Sequence, residues 1–300
     1  MSNLSDLYPF QGRRLDIGGH EMHLLDEGVG PPVLMVHGNP TWSFYYRNLV
    51  LALRGDYRVV VPDHIGCGFS SKPSLEDYPY TLKRRVDDLE ELMERVGFEE
   101  PLTLVVHDWG GMIGLAWAVR HPERIARIVL LNTAAFPLPE SKRLPRRLKM
   151  VRNSRLGAWL VLRCNAFCRG ATRMAVTRRP LSPEVRRAYC APYDSRAHRI
   201  ATLRFVQDIP LGPEDPSWEV VQETAQRLEV FEATPALICW GARDFVFDDH
   251  FLREWERRWP QAQVHRFEDC GHYILEDACE EVVDHVQSFL ASEAVSSGSM

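Results

Sequence analysis

Five stretches of this chain, "PVLMV", "RVVVP", "LTLVV", "RIVLL" and "PALICW", are apolar almost without a break. A strand with one wet face alternates apolar and polar side chains, so a strand that does not alternate must be covered on both faces. Between these runs lie segments with helical spacing of apolar residues. One is "TLKRRVDDLEELMERVG", which Thr81 is placed to cap and a glycine to stop. Strands and helices in alternation predict an α/β fold, a mostly parallel sheet flanked by helices. A hairpin, "RRLDIGGHEMHLLDEG", is expected ahead of it.

The alternation stops at Pro137 and resumes after about Leu228, with short proline-separated helices in between. Residues 1–136 and 229–300 are read as one core, and 137–228 as an inserted helical cap. The insertion leaves and returns at strand ends, where open α/β sheets place their ligand crevice. The last ten residues, "ASEAVSSGSM", read as a linker-like tail.

The core carries one costly feature. In "LTLVVHDWGGMIGLAWAVRHP" a buried strand climbs to Asp108, turns through Gly110 and Gly111, and enters a helix. A buried carboxylate needs a partner or a task. Strand, sharp turn and helix form the architecture of a nucleophile elbow, with Asp where a hydrolase often has Ser. A helix N-terminus there favours an anion. The competing reading is that Asp108 only caps the helix. Three further stretches bear on the choice. "VHGNP" ends an earlier strand, where a backbone N–H and the Asn39 amide can meet an oxyanion. "CWGARDF" puts Asp244 past a late strand, and "EDCGHYILED" puts His272 in the loop after the last one. Nucleophile, acid and histidine in that chain order are the order of α/β-hydrolases.

With HGNP, HDWGG, the late-strand G-x-x-D and the C-terminal G-H, the chain resembles haloalkane dehalogenases, a branch of the α/β-hydrolase fold, from about Leu15 to Leu290. The resemblance implies that Asp108 displaces a leaving group from alkyl carbon and that His272, oriented by Asp244, drives hydrolysis of the resulting ester. Asn39 and Trp109 would hold the halide. "LLNTAAF" has no acid at the family's other acid position, which leaves Asp244. "PDHIGCGFSSKP" and "APYDSRAHRIATLRFVQDIPL" are similar to the subfamily branch that includes β-lactone decarboxylases of long-chain olefin synthesis. Hydrolytic carbon–halogen cleavage is the first reading and β-lactone decarboxylation the alternative. Both act on small hydrophobic substrates, with no cofactor and no metal.

Epoxide hydrolases share the Asp elbow but protonate the epoxide oxygen with lid tyrosines, and Tyr189 and Tyr193 are candidates here. A serine esterase is excluded by the elbow residue. A non-enzymatic homologue would be expected to have lost part of the triad. For Trp109 the plain alternative is core packing.

The formal net charge of −5 argues against a nucleic-acid partner. The N-terminus lacks the apolar core of a signal peptide, and no apolar run approaches the roughly 18 residues that span a bilayer. Seven cysteines without framework or zinc-site spacing suggest free thiols in a cytoplasmic protein. Charge is uneven, however. Between Pro137 and Arg204 there are 17 Lys and Arg against 3 Asp and Glu, a net +14 in a chain of −5. Such a cap is either a solvated face or a surface that docks an acidic partner enzyme or a membrane.

Overall fold

The computed structural model describes residues 4–292, so the tail from residue 293 onward lies outside the described residues. Eight strands form one sheet in the order β1-β2-β4-β3-β5-β6-β7-β8. They are β1 (Arg13–Ile17), β2 (His20–Glu27), β3 (Pro32–Val36), β4 (Arg58–Pro62), β5 (Leu102–Asp108), β6 (Ile125–Thr133), β7 (Ala236–Gly241) and β8 (Gln263–Phe267). The hairpin β1–β2 adds antiparallel at one edge. All pairings from β4 to β8 are parallel.

The helices up to β6 are α1 (Leu4–Leu7), α2 (Arg47–Leu53), α3 (Leu82–Val96) and α4 (Trp109–Ala118). Between β6 and β7 come α5 (Arg146–Asn153), α6 (Arg155–Cys164), α7 (Ala166–Met174), α8 (Pro183–Cys190), α9 (Ile200–Gln207) and α10 (Trp218–Arg227). The chain closes with α11 (Asp249–Arg258), α12 (Ile274–Asp277) and α13 (Cys279–Ala291). Thr81 caps α3 through its side chain, and Gly97 ends it in the left-handed conformation.

The unbroken apolar strands are buried on both faces. Alternate residues of β3, Leu34 and Val36, face the layer that contains Ile113 of α4 and Val221 of α10. Val33 and Met35 face the opposite layer, with Leu49 of α2 and Val286 of α13. The segment "TWSFYYRNLVLAL" forms a 3-10 turn over Ser43–Tyr46 that runs into α2. The Ser43 N–H donates to Asp63 Oδ1 at 2.7 Å, which fills an orphan donor of that tight first turn.

A buried ion pair joins α2 to α12. Arg47 donates to both carboxylate oxygens of Glu276, at 2.5 and 3.0 Å, and Tyr189 of α8 donates to the same carboxylate at 2.5 Å. Glu276→Ala leaves the Arg47 charge buried and unpaired. The expected cost is about 3–5 kcal/mol, read as a lower urea midpoint. Replacing Arg47 and Glu276 together by Met and Leu should recover most of it.

Candidate active site

Asp108 closes β5 and sits at the N-terminus of α4. Its backbone has φ 53° and ψ −127°, a conformation that a non-glycine residue adopts only when its surroundings hold it there. Those surroundings are visible. Thr133 Oγ1 donates to the Asp108 carbonyl at 2.5 Å. Gly110 packs so closely on β3 that a Cβ there would lie 1.9 Å from the Val36 carbonyl oxygen. Asp108 makes no side-chain cap hydrogen bond to its helix, so the capping alternative does not account for it.

Its carboxylate faces other partners. Oδ1 accepts from the Asn39 backbone N–H at 2.7 Å, and Oδ2 lies 3.4 Å from His272 Nε2. Burial pushes the Asp108 carboxyl pKa up. The contact with His272 and the charge of that ring outweigh it and hold it below the usual carboxylate value. The other ring nitrogen, His272 Nδ1, lies 2.6 Å from Asp244 Oδ2. The structure therefore brings Asp108, His272 and Asp244 into one line, with His272 hydrogen-bonded to Asp244 and 3.4 Å from Asp108.

Burial disfavours the His272 imidazolium, but the charge of Asp244 and the contact with Asp108 prevail and raise its pKa to about 10. The unfolded value is about 6.5. The stability contributed by this group is therefore fully present below about pH 6.5 and is lost as pH rises toward about 10. The imidazole resonances of His272 should report a cation at pH 8. A neutral ring there would contradict this assignment.

Asn39 and Trp109 line the same cavity as Asp108 and His272. The Asn39 amide is only partly available, because Nδ2 donates to the Thr202 carbonyl of α9 at 3.1 Å, which leaves one amide hydrogen. The Trp109 indole packs against Phe205, with ring centroids 5.3 Å apart. Its N–H has no acceptor among the described residues.

The lid tyrosines lie elsewhere. Tyr189 gives its hydroxyl to Glu276 and Tyr193 gives its own to the Thr41 carbonyl at 3.3 Å, and neither lines the cavity. They are packing and tethering residues, so neither is placed to protonate an epoxide oxygen.

Two residues escaped the sequence reading. His107 Nε2 pairs with the His272 carbonyl at 2.9 Å and fixes the loop that carries the imidazole. Burial lowers the His107 pKa to about 3, so the ring is neutral. Asn132 exchanges two hydrogen bonds with the Gly241 backbone, at 2.8 and 3.1 Å, and so pins the strand end that leads to Asp244. A histidine directly before the elbow residue and a lone Asn closing an apolar strand were the available signals.

The cavity above this line is about 340 Å³. Its walls come from the core and from the helical segment between β6 and β7, with Phe136, Leu148, Leu160, Val161, Phe167 and Val246 among them. Among the described residues, Asp108, His272 and Arg147 are the only charged ones that line it. A carboxylate under an apolar chamber suits attack on a greasy electrophile at alkyl carbon.

The family described as alpha/beta hydrolase fold matches residues 31–161 and 172–278. The cis-3-alkyl-4-alkyloxetan-2-one decarboxylase of Shewanella oneidensis is 55% identical over 96% of this chain and 90% of its own length. The protein of the same name from Xanthomonas campestris is 48% identical over 94% and 97%. Among solved structures, the haloalkane dehalogenase DatA of Agrobacterium tumefaciens superposes with a TM-score of 0.83 at 25% identity, over 93% of this chain and 96% of that one.

Proposed function

We propose, from the premise that this chain belongs to the alpha/beta hydrolase fold family, that it opens β-lactones with two alkyl substituents and decarboxylates them to cis-olefins. The reading of the sequence alone put carbon–halogen hydrolysis first and this reaction second. The observation that reverses the order is the name shared by two relatives at 55% and 48% identity over nearly the whole chain. The apolar chamber over a single carboxylate is consistent with it.

In this mechanism the Asp108 carboxylate attacks the ring carbon that bears the lactone's alkyl oxygen. The carbon–oxygen bond breaks, and its electrons make the ring carbonyl a free carboxylate. The substrate is then an alkyl ester of Asp108. Next the bond from the neighbouring carbon to that carboxylate breaks. Its electron pair forms the double bond and expels the Asp108 carboxylate, and CO2 leaves. Attack inverts the alkyl carbon. Departure of CO2 and Asp108 from opposite sides then gives a cis-olefin from a cis-lactone. No water enters, and Asp108 is regenerated.

Asn39 and Trp109 direct N–H groups at the lactone oxygens. The His272 cation, held by Asp244, balances Asp108 before attack and the released carboxylate after it. Trp109→Phe removes one such donor. It should lower kcat by about 10²–10³-fold with a smaller change in KM. A change confined to KM would make the indole a packing group.

The same groups would displace bromide or iodide from alkanes, with His272 then needed as a base for ester hydrolysis. The test is a panel on purified protein: a long-chain cis-β-lactone, 1-bromohexane and styrene oxide, followed by olefin, halide and diol assays. Turnover of the lactone well above the other two supports the proposal. Fast halide release with no olefin would return the enzyme to the first reading.

A further inference from the structure

The helical segment between β6 and β7 has an outer face that a solvated helix would not carry. Along α6, Gly157 and Val161 are buried, whereas Leu156 is 60% exposed and Trp159 is 53% exposed. These two lie three residues apart, on one face of the helix, with exposed Arg155 and Arg163 flanking them. The same helix lines the cavity with Leu160 and Val161. Met150 and Met174 line the cavity and are also 40% and 38% exposed, so the chamber reaches the surface on this side. The crossing of α5 and α6 is tight, since a Cβ on Gly157 would lie 2.5 Å from the Met150 carbonyl oxygen. The Met150 backbone is thereby set against Gly157 of α6.

The charge of this segment is not all free. Lys142 pairs with Asp248, Arg152 with Asp215, and Arg178 with Asp269 and Glu281. Arg178 is therefore tied to the core and is no docking residue. Arg146, Lys149, Arg155 and Arg163 are exposed and make no ion pair among the described residues.

We propose that this face docks the enzyme on the surface of an anionic lipid bilayer. Trp159 and Leu156 enter the boundary between headgroups and acyl chains, and the four unpaired cations meet lipid phosphates. An acidic protein surface would satisfy the cations alone. An exposed tryptophan and leucine in their midst fit a partner whose charged skin covers an apolar interior. No helix among the described residues is long and apolar enough to cross a membrane, so the contact is peripheral. For the role of the contact, the inference rests on the lactone reading above. A substrate with two alkyl chains partitions into lipid more strongly with each methylene, and a chamber opening beside the docking face takes it without passage through water.

The test is sedimentation of the full chain with phosphatidylglycerol–phosphatidylcholine vesicles, against pure phosphatidylcholine, at low and high salt. Wild type should bind the anionic vesicles, weakly in high salt and weakly to pure phosphatidylcholine. Arg146→Gln, Lys149→Gln, Arg155→Gln and Arg163→Gln combined should lower binding by up to about a thousandfold. Leu156→Ser with Trp159→Ser should lower it at least about tenfold. Both variants should turn over a short-chain, soluble lactone at the wild-type rate, which shows that they are folded. Absence of wild-type binding at low salt overturns the inference, as does binding that neither variant reduces. Salt-sensitive association with an acidic protein but not with vesicles also overturns it. Vesicle binding by a protein that fails on lactones would uphold the docking and sink the catalytic reading instead.

Discussion

Replacing Asp108 with alanine should abolish olefin formation from a cis-β-lactone, by about 10⁴-fold or more, and leave the protein folded. The size follows from the role. In the proposed sequence this carboxylate opens the ring and is the leaving group as CO2 departs, and no other acid among the described residues lines the chamber. The fold should survive, because the elbow is held from outside the side chain, by Thr133 on the carbonyl and by Gly110 against β3. The variant also removes a buried anion, so the His272 cation keeps only Asp244 and its pKa should fall. Circular dichroism and a lactone assay together check the result. Activity within tenfold of wild type would show that the lactone loses CO2 without a covalent stage at Asp108.

His272→Gln should separate the two chemistries that one site can support. With a bromoalkane, Asp108 is alkylated and water must then be activated. Hydrolysis should drop on the order of 10⁴-fold or more, and intact-protein mass spectrometry should show the alkyl adduct accumulate. With a cis-lactone, the proposed mechanism has the electron pair that forms the double bond expel Asp108, so no base is required. Turnover should then fall only about 10- to 100-fold, the worth of one charge-assisted contact, without a stable adduct. Glutamine keeps a donor for Asp244, which would otherwise be a buried, unpaired acid at 3% exposure. A lactone adduct that persists in this variant would place a hydrolytic step in the normal reaction.

The residues that could be found in the sequence are those whose local pattern carries their role. The elbow at Asp108 announces itself through a buried strand, two glycines and a helix. Asp244 and His272 each follow a strand end. Their convergence was an expectation from chain order, and the 2.6 Å and 3.4 Å contacts of His272 give it geometry. What stayed hidden depends on contacts between distant parts of the chain. The Asn39 amide is half occupied by the Thr202 carbonyl, 163 positions away. Tyr189 looked like a lid residue free to enter the site, but its hydroxyl is fixed on Glu276, 87 positions on. Arg178 reads in the sequence as one more surface cation, whereas in the structure it is paired with Asp269 and Glu281. Composition shows the excess of charge in a segment but not which charges are neutralised by the core.

The most direct test of the central claim is single-substrate turnover of a cis-3,4-dialkyl β-lactone by the purified protein in H₂¹⁸O, with gas chromatography–mass spectrometry of the organic product and of CO2. The account predicts one cis-olefin and one CO2 per lactone consumed, with no ¹⁸O incorporated into Asp108 over many turnovers. A β-hydroxy acid as the main product, or ¹⁸O entering Asp108 with each turnover, would show that the enzyme hydrolyses its substrate and would contradict the account.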